Sequence, residues 1–491
     1  MTEIAFDHSY SRLPDNFFVR TLPTPVASPR LIKLNLDLAL QLGLDERWLG
    51  SPEGIEMLAG NNIPRGADPI ATAYAGHQFG HFVPRLGDGR AILLGEVIDR
   101  NGVRRDMQLK GSGRTPFSRG GDGRAALGPV LREYILSEAM NALRIPTTRA
   151  LAAVLTGETV AREVSLPGAV LTRVASSHIR IGTFQFLAAR GDIEGVRALA
   201  DHVIARHYPQ AAEGEMPYLA LLAAVIGNQA SLVAQWMLAG FIHGVMNTDN
   251  MSIAGETIDY GPCAFLDNYD PATVFSSIDH AGRYAYGNQG PAALWNLVRL
   301  AETLLPLLAD DQDRAVSLAQ NTLATFDDQF ETVFITGMRR KLGLFTEEEN
   351  DQMLIKVLLD IMTKNQADFT LTFRYLSHCA GTINDDEKVL NLFTEPRAFR
   401  EWLARWRSRI SREPQTGFER RTLMLHVNPL FIPRNHRVEA VIVAAVQNNN
   451  FRPFEELLAV LGKPFRDRAQ FAHYAEPPEI NERVLETFCG T

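Results

Sequence analysis

Two segments with strand character, Arg90 to Asp99 and Val103 to Lys110, meet at Asn101-Gly102, the strongest short hairpin signal a sequence can carry. The pair commits this part of the chain to antiparallel sheet. With Asn101 and Gly102 as the two turn residues, Arg100 pairs with Val103 and Lys110 lies opposite Leu93. A lysine therefore ends the hairpin that also carries Gly87-Asp88-Gly89. Pro129 to Leu143 follows as a helix, with proline at its start and Val130, Leu131, Tyr134, Ile135, Ala139 and Leu143 forming an apolar stripe. After about Ser176 the pattern changes to helices joined by short loops, the longest between Pro217 and Gly240, and Thr346-Glu347-Glu348-Glu349 is a capping-box pattern opening another. Upstream, Pro14, Pro23, Pro25 and Pro29 predict an extended arm over the first thirty residues, and Leu31, Leu34, Leu38 and Leu42 predict a short helix before Gly43. The whole reads as α+β, a smaller mixed half followed by a larger helical one.

Composition limits what such a chain does. Its 491 residues carry 49 Lys plus Arg against 57 Asp plus Glu, a net charge of −8, which argues against nucleic acid as the main partner. Apolar runs such as Tyr218 to Ile226 fall short of the ~18 residues that span a bilayer, and the N-terminus lacks the basic start and apolar stretch of a secretory signal. Cys263, Cys379 and Cys489 are too scattered for a disulfide scaffold or a cysteine-rich zinc site. The expectation is a cytoplasmic protein with no membrane partner.

Three motif-like strings are set aside. Gly121-Asp122-Gly123 imitates a dinucleotide fingerprint, but polar residues Thr115 to Arg119 precede it where a buried strand is required. Gly462-Lys463 is followed by proline and lacks the earlier glycine of a phosphate-binding loop. His77 and His81 have the spacing of helical zinc ligands, yet Gly76 and Gly80 disfavour a helix, and a loop role is expected.

The informative segment is His243-Gly244-Val245-Met246-Asn247-Thr248-Asp249-Asn250-Met251, with Asp259-Tyr260-Gly261 beginning nine residues after Asn250. Phosphoryl and nucleotidyl transfer need such a set: an Asn and an Asp to hold Mg²⁺, and a carboxylate to take the acceptor's proton. Taken alone, the segment is also what a polar loop looks like. The order of parts decides. A glycine turn, the strand lysine Lys110, the helix glutamate Glu133, a His-x₆-Asn loop and Asp-x-Gly follow one another as in a protein kinase. One part is missing: Gly244 and Val245 stand where a kinase has Arg and its catalytic Asp. Either the chain is an inactive kinase relative, or Asp249 supplies the carboxylate from a different place.

HGVMNTDN and DYGP, with YAGHQFGHFVPRLGDGR near the start and NPLFIPRNH towards the end, resemble the selenoprotein O family of kinase-like protein nucleotidyltransferases over almost the whole chain. The resemblance implies a kinase-like two-lobed fold, with a small mixed α/β N-lobe over residues 1–167 and a large, mostly helical C-lobe over 168–491. It implies ATP bound in a flipped orientation and AMP, or UMP from UTP, transferred to Ser, Thr or Tyr hydroxyls of proteins. Asp249 would be the general base, and Asn250 and Asp259 the ligands of Mg²⁺ or Mn²⁺. Lys110, supported by Glu133, would meet the phosphates, with Gly87, Gly89, Arg90, Asp122, Gly123 and Asp259 lining the nucleotide site. Arg173 and Arg180 would clasp the terminal phosphates. The rival readings are a phosphotransferase using ATP in the usual orientation and a catalytically inactive scaffold.

Animal members of that family carry selenocysteine near the C-terminus, where this chain has Cys489, which suggests a redox-sensitive thiol. A second cysteine present in some bacterial members is absent from the aligned stretch, Pro271 to Ser277, so a regulatory disulfide is not expected and three inert or partly buried thiols are. Arg397, Arg400, Arg405, Arg407, Arg409 and Arg412 surround Trp402 and Trp406, which predicts a solvated amphipathic helix packed by its tryptophans.

Overall fold

The computed structural model describes residues 4–381 and 386–488. Its strands are β1 (Phe18–Arg20), β2 (Arg30–Leu34), β3 (Ile70–Thr72), β4 (Gly76–Gln78), β5 (His81–Val83), β6 (Ala91–Ile98), β7 (Arg104–Lys110), β8 (Ala125–Ala126), β9 (Arg149–Ala161), β10 (Ser165–Ala175), β11 (Phe241–Ile242) and β12 (Ala264–Phe265). Eight of them form one antiparallel sheet in the order β1-β3-β6-β7-β10-β9-β2, with β8 pairing to β10. From Ile181 onward the chain is mostly helical. The architecture is α+β, as expected. The sheet extends through Ala175, in keeping with the change of pattern after about Ser176, so the N-lobe boundary that the resemblance places at residue 167 falls inside β10.

The β6–β7 hairpin forms, in a register different from the expected one. Asp99 N donates to Val103 O, so Arg100, Asn101 and Gly102 make a three-residue turn with Gly102 at φ +77°. A bulge at Gly95 shifts the pairing once more, and Lys110 lies opposite Ala91, not Leu93. Leu31 and Leu34 belong to strand β2 paired with β9, and only Leu36–Gln41 is helical. The first thirty residues are less of an arm than their prolines predict, because β1 joins the sheet and Tyr10 and Phe17 are buried. Thr346 does not open a helix: its N–H and hydroxyl bond to Glu413, and the helix starts at Asp351.

Two helices frame the centre. Leu127–Ala142 packs between β9, β10 and the later helices Asn435–Asn448 and Arg452–Leu461, burying Leu127, Leu131 and Ile135. Pro217–Ala239 starts on Pro217 and ends on Gly240, and helices Gln289–Leu308, Gln312–Leu323 and Thr325–Lys341 pack around it. It is long and apolar enough to cross a membrane by length and composition, a property it shares with core helices of its kind. Helix Pro396–Ile410 buries Trp402 and Trp406, as the amphipathic reading expected, but Arg409 is buried with them and pairs with Asp351, while Arg407 pairs with Asp386.

One core lysine has a measurable consequence. Lys341 is buried, its Nζ 4.4 Å from the Phe373 ring centre, and no carboxylate pairs with it among the described residues. Burial pulls its pKa down to about 7. The unfolded chain then binds more protons than the native one between about 7 and the ordinary lysine value of 10.5, so this group makes stability rise with pH across that window. Lys341→Met should raise the melting temperature at pH 7 by ~2–5 °C, with the gain shrinking towards pH 10. Calorimetry at both pH values checks it.

Candidate functional site

Strand β7 alternates Arg104, Asp106, Gln108 and Lys110 on one face with Arg105, Met107 and Leu109 on the other. Met107 and Leu109 enter an apolar core, which turns Gln108 and Lys110 to the opposite side. Strand β10 sets Arg173 directly across from Gln108. The Arg173 guanidinium donates to Gln108 Oε1, to Glu133 Oε1 at 3.2 Å and to Asp259 Oδ1 at 2.8 Å. Lys110 Nζ donates to Glu133 Oε2 at 2.5 Å and to Asp259 Oδ1 at 3.1 Å. Lysine, arginine, helix glutamate and loop aspartate thus form one network drawn from four separate elements.

Arg180 adds a third cation. It is buried over the Tyr74 ring, 3.6 Å from both Asp88 Oδ1 and Asp259 Oδ2. Burial alone would raise the proton affinity of Asp259, but Lys110, Arg173 and Arg180 outweigh it and hold the carboxyl well below its usual range. Glu133 is likewise buried and held down by Lys110 and Arg173. The backbone of Asp259 is at φ +64°, a conformation uncommon for a non-glycine residue. It aims the carboxylate at three cations.

Asp249 stands in the opposite electrostatic state. Residues Thr248–Asn250 form one helical turn after Asn247, and the Asp249 carboxyl is buried, which pushes its pKa up to about 6. Its Oδ2 accepts from Gln78 Nε2 at 3.3 Å, and Oδ1 is buried without a hydrogen-bond partner among the described residues. Asn250 donates its amide NH₂ to Val245 O at 3.0 Å, leaving Oδ1 as the acceptor for another partner. His243 is buried beside Trp236, its Nε2 2.9 Å from Ile258 O, and burial lowers its pKa. That imidazole is a structural tie between the two loops.

A cavity of about 750 Å³ is lined by Gly87, Gly89, Arg90, Lys110, Asp122, Gly123, Arg173, Arg180, Asp249, Asn250 and Asp259. It lies in the size range of small-molecule sites. Every residue that the resemblance assigned to base, metal or nucleotide lines it, apart from Glu133, which holds Lys110 from behind. Gly87 has φ +74°, and a Cβ there would come within 2.2 Å of the Phe117 ring, so only glycine permits this turn. Asp122 is bridged to Arg162 at 2.8 Å and accepts from Arg124 N, keeping its loop at the rim. His77 and His81 sit on the β4–β5 hairpin, and no cluster of three or more His, Cys, Asp or Glu suited to a metal occurs among the described residues. Cys263 and Cys379 are buried, and Cys489 lies outside the described residues.

Sequence reasoning missed Gln108, Asp88, Tyr74 and Gln78, which line or brace the cavity. The polar alternation of β7 was a signal for Gln108. Asp88, caught between two glycines, accepts from Thr72 and Gln108 and so ties the glycine turn to the sheet.

A lysine–glutamate pair, a metal-type Asn and Asp, and a separate carboxylate around one polar cavity define an enzyme that transfers phosphoryl or nucleotidyl groups. The chain belongs to the protein adenylyltransferase SelO family, whose model matches residues 1–462. It is 68% identical over 486 residues to the protein nucleotidyltransferase YdiU of Rhodopseudomonas palustris strain HaA2, covering 99% of both chains. It is 66% identical, with the same coverage, to the protein nucleotidyltransferase YdiU of Bradyrhizobium diazoefficiens. The protein is accordingly a nucleotidyltransferase, with a nucleotide and a protein as its substrates.

Proposed function

We propose that the chain is a kinase-like, two-lobed enzyme, its lobes divided after strand β10 and not at residues 167 and 168, that transfers AMP from ATP to Ser, Thr or Tyr hydroxyls of cytoplasmic proteins. The observation that carries this reading is the displaced carboxylate: Val245 occupies the kinase base position, while Asp249 lines the same cavity as Lys110 and Asp259. A valine cannot accept a proton. A buried carboxyl with its pKa pushed up to about 6 is suited to do so near neutral pH.

Burial of the cations supports one orientation of the nucleotide. Arg173 and Arg180 are 2% exposed, whereas Arg90, Arg124 and Arg162 are more open. The most highly charged end of ATP belongs with the buried guanidiniums and Lys110, which leaves the α-phosphate towards Asp249 and the nucleoside towards Gly89, Asp122 and Gly123. The acceptor oxygen then bonds to the α-phosphorus as the bond to the pyrophosphate oxygen breaks. The hydroxyl proton passes to Asp249, and Lys110, Arg173 and Arg180 offset the charge on the leaving pyrophosphate.

Asn250 and Asp259 would supply one amide and one carboxylate oxygen, a hard donor set that fits Mg²⁺ or Mn²⁺. When bound, the cation contributes charge neutralisation at the phosphates. UTP offers the same phosphates, so UMP transfer is chemically equivalent at this end of the site.

The expected result is that acceptor protein, or the chain itself, takes label from α-labelled ATP and none from γ-labelled ATP. Label from the γ-position alone would make the enzyme a phosphotransferase, and label from neither position of ATP nor from α-labelled UTP would make it a scaffold.

A further inference from the structure

Resting on Asp249 as the proton acceptor, we infer that the β4–β5 hairpin locks the loop that carries it, and that Gln78 is a positioning residue for AMP transfer. The hairpin consists of two three-residue strands outside the main sheet, too little to be stable alone. Its polar groups are instead committed to the loop. His77 N donates to Thr248 Oγ1 at 2.7 Å, Gln78 Nε2 to Asp249 Oδ2 at 3.3 Å, and Phe79 N to Asn247 Oδ1 at 3.0 Å. Three successive hairpin residues hold three successive loop residues.

The contact is closed from behind. Thr248 donates to Gln185 Oε1 at 2.6 Å, and Gln185 Nε2 returns to His77 Nδ1 at 2.8 Å, so hairpin, loop and helix Ile181–Ala188 share one ring of hydrogen bonds. This is the role of His77, whose spacing from His81 imitates a zinc site. Gly76 supplies the shape: a Cβ there would lie 2.3 Å from Asp249 Oδ1. The carboxylate is therefore pressed against a bare Cα on one oxygen and held by an amide donor on the other. It keeps one orientation. Because Gln78 donates to Asp249 while lining the same cavity, losing the donor frees the carboxylate to turn without emptying the site.

Gln78→Glu keeps the shape and replaces the donor by a like charge, and Gln78→Ala removes the donor outright. Single-turnover AMP transfer at saturating Mg²⁺ should fall about 10- to 100-fold in both variants, the scale of a misplaced reacting group. The dissociation constant for ATP, measured by equilibrium dialysis, should stay within about twofold because Gln78 acts through Asp249 and not on the phosphates. In an Asp249→Ala background neither change should slow the reaction further, since the carboxylate it positions is gone. A merely structural role would instead give the same fractional loss in both backgrounds, and that result overturns the inference. Wild-type rates in both Gln78 variants, with Asp249→Ala slow, also overturn it while leaving the base assignment intact. A wild-type rate in Asp249→Ala removes the base assignment and this inference together.

Discussion

Asp249→Ala should cut turnover by about 10² to 10⁴-fold and leave ATP affinity close to that of the wild type, the range spanned by loss of a general base. As the proposed general base, the carboxyl would take the acceptor's proton as the new bond forms, so its contribution would be made in the transition state and not in the nucleotide complex. Lys110→Ala should differ in kind. Lys110 faces Glu133 and Asp259, and in the nucleotide complex it offsets phosphate charge before and during reaction. Its removal also leaves the buried Glu133 carboxylate with Arg173 as its one ionic partner among the described residues. Both the ATP dissociation constant and the rate should therefore deteriorate. The two variants are compared by ATP titration and single-turnover transfer at saturating metal, because Asp249 is next to Asn250. Equal loss of ATP binding in two folded variants would make Asp249 a structural or metal residue.

The site was legible in sequence where each signal was local. Lys110 at the end of a hairpin strand, Glu133 in an amphipathic helix and the HGVMNTDN loop after Pro217–Ala239 each carry their own punctuation, and the structure brings Lys110 and the loop to one cavity with Glu133 behind the lysine. Pairing between distant segments was less legible. Leu31 and Leu34 satisfy a helical period, but strand β9 more than a hundred residues away captures them. The turn at Asn101-Gly102 was recognisable, yet its length and the Gly95 bulge were not, since that bulge packs against Phe6 from the N-terminal segment. Thr346 has capping chemistry and spends it on Glu413 instead. Gln78 was hidden for a related reason: its partner is 171 positions downstream, and nothing near it in sequence marks a glutamine as the holder of a carboxylate.

Asp259→Asn should reduce AMP transfer by about 10³-fold or more, because in the proposed mechanism several kcal/mol of charge stabilisation would depend on a metal held there. Asparagine is the informative replacement. It tolerates the φ of +64° at this position better than alanine, so lost activity cannot be assigned to backbone strain. Asp259→Ala should abolish transfer and carry that strain as well. Binding should move the other way when metal is withheld. Asp259 accepts from Lys110 and Arg173 and lies 3.6 Å from Arg180, so it competes with phosphate for the same three cations. Neutralising it leaves those cations opposed by Glu133 and Asp88 alone, and ATP in the presence of a chelator should bind at least as tightly as it does to the wild type. Transfer is read from α-labelled ATP with excess Mg²⁺ and Mn²⁺, and binding by equilibrium dialysis with EDTA. Undiminished transfer would take Asp259 out of the metal site. Weaker metal-free binding would mean that the carboxylate organises the cations for phosphate more than it competes for them.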